Sequence, residues 1–72
     1  MPRALVLVRT RPRVRLKERA KEIEGVKEAF DVTGRFDAVA LIEVDEFSDI
    51  KKVALKIQNM EGVRRTETLI QV

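Results

Sequence analysis

The sequence predicts an α+β sandwich in the order β-α-β-β-α-β, with one antiparallel sheet of strand order 4-1-3-2 and both helices on a single face. Three observations predict it. Two strand-length segments are apolar nearly throughout, two other segments carry apolar residues at helical spacing, and the chain repeats itself. Ile23-Glu24-Gly25-Val26-Lys27 matches Met60-Glu61-Gly62-Val63-Arg64 in kind at an offset of 37 residues, and Ala4-Leu5-Val6 echoes Ala38-Val39-Ala40 at an offset of 34. Two similar β-α-β halves make the ferredoxin-like, split βαβ arrangement.

Each element has its own warrant. Residues 4–8 are apolar without interruption, as in a central strand covered on both faces. Pro12 tolerates a first helical turn, so a helix is expected from Pro12 or Arg13, with Leu16, Ala20 and Ile23 on one face and Gly25 as its C-cap. Residues 26–33 read as a half-exposed edge strand, with Val26, Phe30 and Val32 on one side and Lys27, Ala29 and Asp31 on the other. Gly34 marks a tight turn. Residues 36–44 form the next strand, with Phe36, Ala38, Ala40, Ile42 and Val44 on one face and Asp37, Val39, Leu41 and Glu43 on the other. Asp45, Glu46 and Asp49 suit the N-terminus of a second helix. That helix aligns Phe47, Ile50, Ala54 and Ile57, with Val53 and Met60 beside them, and is closed by Gly62. Residues 63–72 supply the last strand.

Composition bounds the chemistry. The 72 residues include neither cysteine nor histidine. That removes disulfides, thiolate and zinc–imidazole sites, and Cys–His or Ser–His–Asp nucleophile systems, so no metal, no cofactor and no enzymatic activity are expected. There is no tryptophan or tyrosine, and aromatic residues are 4% of the chain, too few for a platform on which bases stack. No apolar stretch is long enough for a membrane span or a signal peptide, so a cytoplasmic protein with no membrane partner is expected. The net charge is +3. Residues 1–21 hold eight basic side chains and one acid, whereas residues 22–72 hold seven basic and eleven acidic ones.

Two helices cover only one face of a four-stranded sheet, yet the predicted central strands are apolar on both. Left in water, the second face forms a contiguous apolar patch of a size soluble monomers rarely show. Packing against a second copy in a C2 dimer is the economical solution. A monomer whose patch is shielded by long Arg and Lys stems is the alternative.

Three stretches are candidate sites. In Thr33-Gly34-Arg35-Phe36-Asp37, Gly34 permits backbone amides to face an anion, and the Asp37 carboxylate suits an ammonium. The same residues also fit a plain hairpin with a solvated Asp. Thr66 and Thr68 share one face of the last strand and offer hydroxyls to a carboxylate or amide, although threonine also favours strands for its own sake. In a 4-1-3-2 sheet, Asp37 and Thr66 fall at the same end of the sheet, about 10 Å apart, a gap that a small zwitterion bridges alone or with a neighbouring subunit. Residues 9–21 alternate Arg9, Arg11, Arg13 and Arg15 and continue into Lys17, Arg19 and Lys21. A phosphate-contacting surface looks like this, and so does a solvated helix face. No interleaved aromatics or helix-turn-helix accompany it. The loop after the first strand has neither the C-x-x-C of a metal carrier nor the glycines of a phosphate-binding loop.

Over essentially its whole length the chain resembles the effector-binding (RAM) domain of the Lrp/AsnC transcription-regulator family. The carriers are Glu24-Gly25-Val26, Val32-Thr33-Gly34-Arg35-Phe36-Asp37 entering an apolar strand, and Glu61-Gly62-Val63 followed by Arg65-Thr66-Glu67-Thr68. The resemblance implies dimerisation through the sheets, rings of dimers and amino-acid binding between dimers. Gly34 with its flanking amides from Thr33 onward, Asp37, Thr66 and Thr68 become the amino-acid contacts, with Arg35 and Phe36 shaping the pocket. Arg35 departs from the acid or small polar residue expected there. Residues 1–72 are expected to be a single effector domain without a helix-turn-helix, which binds no DNA directly. It senses amino acids or joins full-length Lrp/AsnC-type regulators. An assembly partner with a vestigial ligand site, and nucleic-acid binding through residues 9–21, are the alternatives.

Overall fold

A computed structural model describes residues 1–72. The elements are β1 (Arg3–Thr10), α1 (Lys17–Lys21), β2 (Val26–Asp31), β3 (Ala38–Glu43), α2 (Phe47–Gln58) and β4 (Val63–Ile70). The sheet is antiparallel throughout, in order β2-β3-β1-β4, the predicted ferredoxin-like topology read from the other edge. The two most apolar strands, β1 and β3, are its centre.

Strand alternation sorts the sheet into two faces. Ala4, Val6 and Val8 of β1, with Ala38, Ala40 and Ile42 of β3 and Ala29 of β2, are buried beneath the helices. Leu16 and Ala20 beside and within α1, and Ile50, Val53 and Ile57 of α2, pack onto them. Four of the seven sheet positions are alanine, so the larger side chains of the helix layer lie over small ones.

Four expectations are corrected. The first helix does not begin at Pro12 or Arg13. Arg13 has φ +67°, a left-handed conformation incompatible with a helical turn, and the helix is the five residues Lys17–Lys21, capped by Glu22 rather than by Gly25. In β2, a register irregularity between Val26 and Glu28 breaks the alternation. Ala29 therefore joins Val26 beneath the helices, and Phe30 turns to the opposite face. Phe47 at the start of α2 is 65% exposed rather than in the core. That helix ends at Gln58 with Asn59 as its cap, not at Gly62.

The repeat seen in the sequence is a structural one. The Gly25 carbonyl accepts the Glu43 amide at 3.0 Å, and the Gly62 carbonyl accepts the Arg11 amide at 2.9 Å. Both glycines have positive φ. A Cβ on either would come within 2.7 Å of a valine methyl, of Val53 for Gly25 and of Val14 for Gly62. Each Glu-Gly-Val turn thus docks its backbone against the end of a central strand and the segment that follows it, which only glycine permits.

The face away from the helices is apolar. Leu5, Leu7, Val39, Leu41, Phe30 and Leu69 share it through the register pairs Leu5↔Leu41, Leu7↔Val39, Leu5↔Leu69 and Phe30↔Val39. Phe30 and Leu69 are nearly half exposed. The accessible surface is 5243 Å², some 650 Å² above the roughly 4,600 Å² of a compact monomer of this mass. An uncovered sheet face contributes to that excess.

Candidate functional site

The β2–β3 connection is tied to the end of β1. The Val32 amide donates to the Asp37 carbonyl at 3.0 Å, closing a loop of four residues, Thr33, Gly34, Arg35 and Phe36. The Asp37 amide donates to the Val8 carbonyl at 2.8 Å, although Val8 is the register partner of Ala38, so the pairing slips by one residue where β3 begins. Asp37 Oδ2 accepts the Thr10 amide at 2.8 Å, and Arg9 Nη1 donates to the Arg35 carbonyl at 2.9 Å. A loop that local sequence leaves free is in this way braced by two bonds from one strand end. Gly34 at its tip has φ +119° and no heavy atom within 4 Å of where a Cβ would lie. Its backbone is therefore open to approach.

Asp37 also lines an open cleft of about 640 Å³ at this end of the sheet, beneath the β1–α1 connection. Six cations line it: Arg9, Arg11, Arg13, Arg15, Lys17 and Arg64. Three carboxylates, Glu18, Asp31 and Asp37, share the wall. The ion pairs of the molecule lie elsewhere, joining Arg3 and Lys27 to Glu43 and Lys52 to Asp49, so no cation of the cleft has a carboxylate within 4.0 Å.

Of the seven predicted contact residues, only Asp37 lines this cleft. Thr33, Gly34 and Arg35 are exposed on the loop, and Phe36 is half buried. Thr66 pairs with Val8 and Thr68 with Val6, which places both on the helix side of the β4 edge. Val8 is thus flanked by Thr66 on one side and by Ala38, next to Asp37, on the other, at one end of the sheet. Sequence reasoning missed Arg64 and Asp31 as cleft residues. The register pair Asp31↔Ala38 puts Asp31 on the helix side, a consequence of the β2 irregularity that period-two reading cannot reveal. No helix is long and apolar enough to cross a membrane.

Comparison with known proteins agrees with this architecture. The family model of the Lrp/AsnC ligand binding domain matches residues 3–72. The chain belongs to this family. As an Lrp/AsnC ligand-binding domain it is 31% identical over 71 residues to the HTH-type transcriptional regulator LysM of Sulfurisphaera tokodaii. That alignment covers 94% of the chain and 51% of LysM, so the chain spans about half the length of this curated relative. The crystal structure of TTHA0845 from Thermus thermophilus superposes with a TM-score of 0.91 at 40% identity, covering 100% of this chain and 94% of that one. The feast or famine regulatory protein Rv3291c from M. tuberculosis, complexed with L-methionine, shares the fold at a TM-score of 0.76 and 22% identity, over 100% of this chain and 50% of that one.

Proposed function

We propose that this Lrp/AsnC domain is an oligomeric amino-acid-binding module, which senses amino acids itself or modulates full-length regulators of the same family. One observation carries the reading. The loop of residues 33–37 is held rigid from β1 while it presents open backbone at Gly34 and a carboxylate at Asp37 that lacks any ion pair. A carboxylate of that kind holds an α-ammonium, and amides around Gly34 receive an α-carboxylate. The methionine complex of a protein with the same fold supports the ligand class.

Assembly is the second half of the proposal. Two copies pack through the face bearing Leu5, Phe30, Leu41 and Leu69, and such dimers associate further into rings. Burying each half-exposed leucine or phenylalanine contributes about 1 kcal/mol, and a small domain gains stability from the added core. Between neighbouring copies, Thr66 and Thr68 supply hydroxyls to the ligand held at Asp37.

Calorimetric titration with each of the twenty amino acids tests the reading. At least one binds, and Asp37→Ala abolishes its heat while the solution mass stays that of the parent. Twenty blank titrations refute ligand sensing. The exposed sheet face favours a second reading, an assembly partner with a vestigial site. Capture of a full-length family regulator with no amino acid added, alongside blank titrations, selects it.

A further inference from the structure

We infer that the basic cleft is a binding site for a small polyphosphate-bearing anion, such as inorganic triphosphate or the phosphate chain of a nucleotide. This assignment does not rest on the amino-acid reading.

Three features of the cleft point to it. The first is unneutralised charge. Six cations against three carboxylates leave a net +3, and none of the six is within ion-pair distance of an acid. The excess matches a ligand carrying three or four negative charges and is far beyond what one amino acid neutralises.

The second feature is a conformation maintained at a cost. Arg13 has φ +67°, a left-handed conformation that costs a residue other than glycine, asparagine or aspartate roughly 1–2 kcal/mol. It sits in the loop that roofs the cleft, between Pro12 and Val14. Backbone strain of this kind is found at ligand-binding sites, where the surrounding structure holds it in place. Gly62 supports that roof from below, with its carbonyl on the Arg11 amide and its Cα against the Val14 methyls.

The third feature is the lining. Five of the six cations are arginine, whose planar fork binds phosphate oxygens two at a time. Val14 is the only hydrophobic residue in the wall, and there is no aromatic residue. The arginine-lined part of the cleft therefore offers no platform on which a base could stack, and recognition falls to the phosphates. About 640 Å³ falls in the range of small-molecule sites. A concave pocket at one end of the sheet is unlike the extended stripe that tracks a nucleic-acid backbone.

The test is calorimetry on the full chain at 50 mM and 200 mM salt, with inorganic triphosphate, a nucleoside triphosphate, and a 20-base-pair duplex in separate titrations. Triphosphate and the nucleotide are expected to bind with similar affinity, each weakened at least tenfold at the higher salt. Arg11→Ala and Arg64→Ala should each reduce affinity at least fivefold. Arg13→Gly removes a charge where glycine is the preferred residue, so it should weaken binding while raising the melting temperature. Lys52→Ala, at the far end of the molecule, should leave affinity unchanged. Absence of triphosphate binding at 50 mM salt overturns the site, as does binding indifferent to Arg11 and Arg64. A duplex bound at least tenfold more tightly than triphosphate reassigns the surface to nucleic acid and overturns it too.

Discussion

The Thr10 amide at the end of β1 donates to Asp37 Oδ2 at 2.8 Å, joining two residues 27 positions apart. This bond holds together the loop of residues 33–37 and the β1–α1 connection, and so sets the shape of the exposed end of the sheet. The Asp37 amide in turn donates to the Val8 carbonyl.

Removing that acceptor has a local signature. Asp37→Ala is expected to cost about 1 kcal/mol, the net worth of one such hydrogen bond. The Thr10 amide should lose protection against hydrogen exchange, whereas Asp37→Asn, which keeps an acceptor oxygen, retains most of it. Equal protection of Thr10 in all three proteins would contradict this role.

The three glycines with positive φ are not equivalent. Gly62→Ala combines an unfavourable backbone conformation with a contact to Val14 near 2.7 Å, and overpacking typically adds about 1–3 kcal/mol. Gly34→Ala meets no atom within 4 Å and carries the conformational cost only. Chemical denaturation should place Gly62→Ala clearly below Gly34→Ala, with Val14→Ala partly restoring the former.

In the core, Ile57→Ala should cost about 2–5 kcal/mol, because Ile57 is fully buried between α2 and the sheet. Phe47→Ala, on the same helix and a larger deletion, should change stability by less than about 0.5 kcal/mol, since Phe47 is mostly exposed. A thermal melt of each variant compares them directly, and an inverted order would show that Phe47 is covered in solution.

The uncovered sheet face makes its own forecast. Leu41→Lys puts a charge at the centre of the Leu5, Phe30 and Leu69 cluster, pointing away from the helices. It should lower the mass measured by light scattering towards 8.3 kDa with little change in secondary structure. Parent and variant masses that coincide would count against sheet-to-sheet packing.

Element order, the central position of β1 and β3, and the apolar second face were all legible in the residues. Periodicity and apolar runs report burial, and burial on both faces of a strand places it inside the sheet. The face of β2 was not legible. Val26, Phe30 and Val32 obey period two, and the slip between Val26 and Glu28 that sends Phe30 to the other side depends on pairing with β3. The start of α1 was misread for a related reason. Pro12 permits a helix, whereas the bond from the Arg11 amide to Gly62, 51 positions away, accompanies a turn with Arg13 in the left-handed region.

Of the candidate site, the chain order displayed the loop of residues 33–37, the two threonines and the basic stretch as separate pieces. Their relation came only with folding. Asp37 shares a cleft with the arginines after β1 and with Asp31 and Arg64, while Thr66 and Thr68 lie along the β4 edge outside it. Local pattern encodes which side chains seek the interior, because that preference belongs to each residue. Which polar groups meet is decided by strand register and loop closure, and these emerge only when distant segments pair.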